Sequence, residues 1–472
     1  MTTTERVIKK VGSFGWYQLR VFAIISYAVF FTSFVLMVMT FSTAEPPWKC
    51  KANSTSCTLN GTFKAGDKDY EHRCQIPRKD WEFAVEGNFD SIVTEWDLVC
   101  DTAVYASLTN SLTFLLGIFG GVLASILSDK FGRKTVVFPF TMLTCTCGFL
   151  SAFAQTYWVF VFFRALAGIG LGGASNSGYI LVMEYIGVRY RGAVGIGFTP
   201  ESLRWLLVRG KTDEAKKTLK TAARVNKKVI LDDDMNLLGT DEEKERLGDI
   251  RDLFVSRSMA HRTLLSWFCW FVNGLVYYGI SLSTPTVGGN MYLNFFLSTV
   301  CEAIAMAIAV PILNRFGRKK TIIVCLWLSG VVMITAALLS YYDDGSQGFL
   351  AGKIVSAMVL GKFFITISYD GVYLYSSELF PTVVRNTATG TSNASSRVGS
   401  TLAPYIVYSQ RLHPMTPFAI MSATAFVCGI LFTSLPETNK KAMPDTVKQI
   451  CGNTEGDKVD LQDEDTTFLT EG

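Results

Sequence analysis

The sequence predicts an all-α polytopic membrane protein with about ten transmembrane helices, arranged as two related halves. Composition is the first observation: 49% of the 472 residues are hydrophobic and only 18% are charged, too little charge for an ordinary soluble chain. The second is a set of ten apolar runs, most of them near the ~20 residues that a helix needs to cross a bilayer. The third is a repeat. Asp129-Lys130-Phe131-Gly132-Arg133-Lys134 recurs 185 positions later as Asn314-Arg315-Phe316-Gly317-Arg318-Lys319, each time between two apolar runs. A charged, glycine-bearing turn used twice at membrane depth implies a duplicated half.

In chain order, the spans are expected roughly from Val21 to Phe41, Ala103 to Leu127, Thr135 to Ala154 and Tyr157 to Met183. After a charged middle come Thr263 to Leu282, Met291 to Leu313, Thr321 to Ser340 and Phe349 to Tyr375, then Thr387 to Tyr408 and Pro417 to Leu435. Backbone exposed to lipid must satisfy its own hydrogen bonds, so each run should be helical. The first run follows Lys9, Lys10 and Arg20, as a signal peptide would. It is too long for one and lacks a small-residue cleavage site, so it reads as a retained span.

Orientation follows the basic residues of the short loops. An inside N-terminus leaves Lys130, Arg133, Lys134, Arg189, Arg191, Arg315, Arg318, Lys319, Lys320, Arg385, Lys440 and Lys441 inside. Both termini are then cytosolic, and the large loop 42–102 faces outward at what should be the plasma membrane. Arg411 is the single dissenter. The net charge of +4 is explained by this topology and gives no reason to invoke nucleic acid.

The repeat extends beyond the turns. Glu184 stands seven residues before Arg191, and Glu378 seven before Arg385. The halves close on Pro200-Glu201-Ser202 and Pro436-Glu437-Thr438. However, 51 residues separate Arg385 from Pro436 and only 9 separate Arg191 from Pro200. The shortfall of 42 is about two spans at ~20 residues each. Loss of an even number also preserves the alternation of the second half. The expected organisation is therefore a four-span half (1–198), a charged cytosolic linker (199–262), a six-span half (263–436) and a polar, disordered tail (437–472). Lys211 to Lys227 in the linker should form a helix with a solvated face, and Asp232-Asp233-Asp234 reads as a solvated turn, not a metal site.

Of the eleven cysteines, Cys50, Cys57, Cys74 and Cys100 share the outer loop, where four allow three pairings. The same loop carries two glycosylation acceptors, Asn53-Ser54-Thr55 and Asn60-Gly61-Thr62. Sequons beside an even cysteine set favour an oxidising, extracellular face. Enzyme chemistry finds no support: the three histidines are scattered, and no G-x-S-x-G, H-E-x-x-H or phosphate loop occurs. No cofactor or metal is implied, and ATP-driven transport has no basis. Gly168-Ile169-Gly170-Leu171-Gly172-Gly173 matches G-x-G-x-x-G formally. Without a preceding strand it reads as close helix packing, as do Gly117 and Gly121.

Several stretches resemble the organic cation/anion/zwitterion transporter family of the major facilitator superfamily, over nearly the whole chain. They are Ser91-Ile92-Val93-Thr94-Glu95-Trp96-Asp97-Leu98-Val99-Cys100, Asp129 to Lys134, Arg164-Ala165-Leu166-Ala167-Gly168 and Pro200-Glu201-Ser202-Leu203-Arg204-Trp205. The second half adds Glu378-Leu379-Phe380-Pro381-Thr382 to Arg385 and Ser396-Arg397-Val398-Gly399-Ser400. The turn and Pro-Glu-Ser motifs also fit sugar porters, whereas Thr94 to Cys100 after a cysteine-bearing loop is more specific. The resemblance implies a major facilitator fold and secondary transport of small organic ions, for which Na⁺ and H⁺ are the candidate coupling ions. This chain departs from it in Ser125 and Asn314, and in the absence of about fifty residues, spans five and six, after Arg191-Gly192.

Ionisable groups inside spans mark candidate sites. Arg397 presents a donor fork suited to a carboxylate. The resemblance associates arginine here with anion and zwitterion carriers, the carnitine type included, and aspartate with cation carriers. The competing reading is an ion pair with Glu302 or Asp370. Asp370 lies among Tyr369, Tyr373 and Tyr375, with Lys362 eight residues earlier as its expected partner, and Glu302 is a third intramembrane acid. Tyr277 and Tyr278 offer aromatic faces for an ammonium. Gating is expected from the charged turns (Asp129, Arg133 and Arg318) and from the pairs Glu184/Arg191 and Glu378/Arg385. Two alternatives remain: a non-transporting short isoform or gene-model product, and an organic anion or sugar-porter-like carrier.

Overall fold

The computed structural model describes residues 31–185, 212–225 and 250–439, apart from Asn53, Gly66, Lys68, 86–88, Asp344, Thr382 and Val383. Ten membrane helices lie among the described residues. In the first half they are α1 (Phe31–Ser42), α2 (Val104–Phe131), α3 (Arg133–Ser151) and α4 (Tyr157–Tyr185). The amphipathic α5 (Thr212–Val225) falls where a solvated linker helix is expected and buries little beyond Ala215 and Ala223. The second half holds α6 (Arg257–Leu282), α7 (Met291–Phe316), α8 (Arg318–Tyr341), α9 (Gln347–Leu379), α10 (Arg385–Tyr408) and α11 (Thr416–Phe432). α9 is π-wound from Ile354 to Gly361 and α-helical on either side.

Among the described residues six helices are long and apolar enough to cross a membrane, and the apolar parts of α3 and α11 are shorter; residues 21–30 of the expected first span lie outside the described residues, so α1 is described only from Phe31. α10 fails on polarity, because Arg397 interrupts a run rich in serine and threonine. Its polar side is covered by other helices. Large apolar side chains cover the rim, with Phe149 66% and Phe162 59% exposed, as a lipid-facing surface requires. The chain is thus a multi-pass membrane protein.

Both charged turns are built alike. Gly132 (φ 106°, ψ 151°) and Gly317 (φ 97°, ψ 154°) each end one helix and start the next. A side chain there would be strained, so the repeated glycine is a backbone requirement. The 28 residues of α2 rise roughly 42 Å and put its turn on the face opposite loop 42–102.

That loop folds as a small unit. β1 (Trp48–Cys50) pairs antiparallel with β2 (Thr62–Phe63) on one side and β3 (Trp81–Phe83) on the other. Trp48, Tyr70 and Trp81 are buried beneath it. Of the three pairings open from sequence, the structure has Cys50–Cys57 and Cys74–Cys100. Ser91 and Thr94 form a reciprocal capping box before α2, and Arg78 pairs with Asp97 at 2.8 Å. Asn60 is exposed, while Asn53 lies outside the described residues.

α4 packs against both α2 and α3 through the glycine run. A Cβ at Gly168 or Gly172 would strike the backbone of Thr113 or Gly117, and one at Gly173 would strike the Phe140 ring. Close helix packing is therefore what Gly168 to Gly173 and Gly117 provide. In the second half α6 and α10 approach the same way at Gly274 and Gly399. The halves meet along α2 and α10, where Ser107 and Ser111 donate to the carbonyls of Pro404 (3.3 Å) and Thr401 (2.7 Å).

Candidate substrate site and gates

A cavity of about 300 Å³ lies between the halves. α1, α3 and α4 supply small and apolar walls, including Thr32, Ser33 and Ala174. The second half supplies Tyr277 and Tyr278 from α6, Glu302 and Met306 from α7, and Arg397 from α10. Four of the five residues expected to meet substrate thus line one space. Asp370 is not on this wall.

Arg397 is helical because α10 is, and packing at Gly399 against the Phe271 carbonyl fixes how α10 faces α6. Among the described residues no carboxylate lies within ion-pair distance of it, so the pairing with Glu302 or Asp370 is not made. Its electrostatic neighbours are the rings of Tyr278, Tyr369 and Tyr373. Tyr369 shares a 2.6 Å hydrogen bond with Ser396, and Tyr373 packs edge-on to Trp270 at 4.2 Å. Tyr278 meets Phe114 of the other half at 4.7 Å.

The acid side of the cavity departs from expectation. Lys362 pairs with Glu302 (3.3 Å), not with Asp370, and its Nζ also donates to Ser281 Oγ at 2.7 Å. Eight residues of helix separate Lys362 and Asp370 by about 12 Å of axial rise, more than two side chains bridge easily. Tyr277 Oη donates to Glu302 Oε1 at 2.5 Å, and its ring centroid lies 3.2 Å from Lys362 Nζ. The carboxylate of Glu302 is therefore held from two sides, and a cation already occupies one face of Tyr277.

The turn at Gly317 is bracketed by the segment after α11. Glu437 Oε1 accepts from the backbone N–H groups of Arg318 (2.9 Å), Lys319 (3.4 Å), Thr438 (3.0 Å) and Asn439 (3.1 Å), capping α8 from another part of the chain. Burial alone would raise this carboxyl, but the N–H groups of Asn439, Lys319, Arg318 and Thr438 outweigh it and hold it below the usual range. Arg318 spans the bracket, bonding Asn439 and pairing with Glu378 at 3.2 Å. Glu378 takes a second bond from Thr438 at 2.7 Å, while Arg385 directs Nε to the Phe380 carbonyl. Glu378 therefore works with Arg318 in this structure. The side chains of Asp129, Arg133 and Glu184, and all of Arg191, lie outside the described residues.

On the disulfide-bearing face, sequence reasoning missed a second cluster. Arg73, fully buried, pairs with Glu45 and stacks on Tyr70 at 4.2 Å. Glu45 also takes Arg411 Nη2 at 2.6 Å, and Glu71 takes Nη1 at 3.4 Å. Arg411 is the dissenter of the basic-residue pattern, and it ties the loop after α10 to the first half. The signal that pointed to it was its place on the wrong face.

The Sugar (and other) transporter family matches residues 21–199 and 192–445. Organic cation/carnitine transporter 4 of Arabidopsis thaliana is 30% identical over 493 residues, spanning 94% of this chain and 90% of that protein. Human organic cation/carnitine transporter 2 is 28% identical over 534 residues, spanning 95% of this chain and 94% of its own. Among solved structures, the proton:xylose symporter XylE bound to 6-bromo-6-deoxy-D-glucose superposes with a TM-score of 0.58 at 16% identity, covering 92% of this chain and 99% of that one. At that identity the likeness establishes the fold alone: a major facilitator fold. The relatives are transporters, not enzymes. With the cavity between two repeated halves and the family match over most of its length, this chain belongs to the Sugar (and other) transporter family of major facilitator secondary transporters, alongside the organic cation/carnitine transporters.

Proposed function

We propose that this chain holds a small organic ion bearing a carboxylate, by preference a zwitterion of carnitine type, and moves it by rocking its halves about the cavity. The observation that carries the reading is Arg397, a guanidinium on the cavity wall with no carboxylate at ion-pair distance among the described residues. A substrate carboxylate would complete its donor fork. The tyrosines offer faces to an ammonium; Glu302 is engaged by Lys362, and Glu302 and Asp370 are the acids for a coupling Na⁺ or H⁺. The basic turns orient the turn face to the cytosol, with both termini there and the disulfide loop outside the plasma membrane, glycosylated at Asn53 and Asn60. Arg318 with Glu378, together with Arg385, gates the cytosolic side; Asp129, Arg133, Glu184 and Arg191 are the counterparts in the first half. The organisation follows as 1–198, 199–262, 263–436 and 437–472.

A second reading has its own support. The family match divides into two pieces that meet at 192–199. The Arabidopsis alignment spans 493 positions against about 444 residues of this chain, which leaves about 49 of the relative's positions unmatched. A chain short of two helices at Phe198 would bind ions without translocating them.

Uptake and binding of labelled carnitine, tetraethylammonium and an aromatic anion, in cells expressing this chain or its Arg397→Ala variant, test both readings. Loss of a charge-assisted fork should weaken carnitine about 10- to 100-fold, leaving tetraethylammonium unaffected. Equal carnitine affinity in the variant would refute the anchor. Arg397-dependent binding without saturable uptake would establish the second reading.

A further inference from the structure

Lys362 is absent from the cavity wall yet acts on it. Lys362 is 2% exposed, and its ammonium sits where an ammonium ligand would sit, against the Tyr277 ring and beside Glu302. Glu302 and Tyr277 themselves line the cavity. The wall therefore carries one neutralised acid and one unopposed cation, Arg397. We infer that Lys362 is a tethered stand-in for a substrate cation: it fills the ammonium position of the cavity and so sets selectivity toward the carboxylate end of the ligand.

The inference rests on the Arg397 reading for the identity of the cavity and adds what the other end of the ligand meets. A free cation must compete with a side chain that gives Glu302 an ion pair, Ser281 a hydrogen bond and Tyr277 a cation–π contact without losing translational freedom. A carboxylate at Arg397 faces no such competitor. The ligand class favoured is therefore the carboxylate or the zwitterion whose ammonium is satisfied by the remaining rings. A compact cation without a carboxylate is disfavoured.

Binding of labelled butyrate, carnitine and tetraethylammonium to the full-length purified chain tests this. In Lys362→Met, tetraethylammonium should bind about tenfold more tightly than in wild type, since Glu302 and the Tyr277 face are released together. Butyrate should keep its affinity. Tetraethylammonium binding unchanged in Lys362→Met, with butyrate still dependent on Arg397, would overturn the inference and spare the anchor. Butyrate insensitive to Arg397→Ala, with the cation gain present, would do the reverse. Absence of binding by every ligand would overturn both. Removal of Lys362 alone leaves a buried carboxylate unpaired, which threatens folding. Should that variant not fold, Glu302→Gln/Lys362→Met is compared with Glu302→Gln. The double variant vacates the ring without stranding a charge and should bind tetraethylammonium several-fold more tightly; equality overturns the inference.

Discussion

Replacing Glu437 tests the bracket that closes the second turn. One carboxylate oxygen receives four backbone N–H groups, two from the first turn of α8 and two from its own segment. Removing a capping side chain costs about 0.5–2 kcal/mol, and the charge at a helix N-terminus adds about 0.3–1 kcal/mol. Glu437→Ala should therefore lose about 2 kcal/mol, and Glu437→Gln, which keeps an acceptor, about half of that. In a thermal-unfolding assay in detergent, the alanine variant should melt about 2 °C below wild type. The pH dependence has a definite sign. The folded-state pKa of Glu437 lies below its ordinary value of 4.5. The stabilisation is therefore fully present above that value and is lost as pH falls through the folded-state pKa. The gap between wild type and Glu437→Gln should be flat from neutral pH down to about 5 and close below about 4.5. An alanine variant as stable as wild type, or a gap that widens in acid, would refute the capping role.

Two further outcomes are expected. Arg411→Ala removes a mostly shielded pair with Glu45 (12% and 17% exposed) and a half-exposed one with Glu71 that adds little, a loss of about 1 kcal/mol in holding the halves together on that face. A cysteine introduced at Ser107, beside Pro404, should then react with an impermeant thiol reagent about fivefold faster, and an unchanged rate would deny Arg411 a role in closure. Gly172→Ala places a methyl against the Gly117 carbonyl and should cost about 1–3 kcal/mol, seen as a lower melting temperature. Gly390→Ala, with open space around it, serves as the control.

Much of the fold was legible because its causes are local. The apolar runs of span length are helical wherever they fall among the described residues, and the two glycines of the repeated turn carry the same backbone conformation. The glycine run in α4 packs as small residues at helical spacing should. Arg397 reached the cavity wall because its position in a span leaves a charge few other places to go. The partners of the charges were not legible, since they are set by how helices face one another. Glu45 and Arg411 are 366 residues apart, and no periodicity links them. Glu378 was matched to Arg385 by sequence distance, while the fold brings Arg318 closer. Lys362 and Asp370 share a face of one regular α-helical stretch, but eight residues set them about 12 Å apart along the axis, and Glu302 on the neighbouring helix lies within reach instead.

The π winding of α9 has a mechanical consequence. A π segment holds about one more residue than the same length of α-helix, and each residue turns an α-helix by roughly 100°. The stretch from Ile354 to Gly361 therefore fixes the angular phase of everything after it, beginning with Lys362. If it relaxed to ordinary winding, Lys362 would swing by roughly 100° and withdraw from Glu302, while the ends of α9 stayed anchored in their loops. The 3.3 Å pair between Lys362 and Glu302 therefore depends on winding one turn upstream: the π segment sets which way the lysine faces.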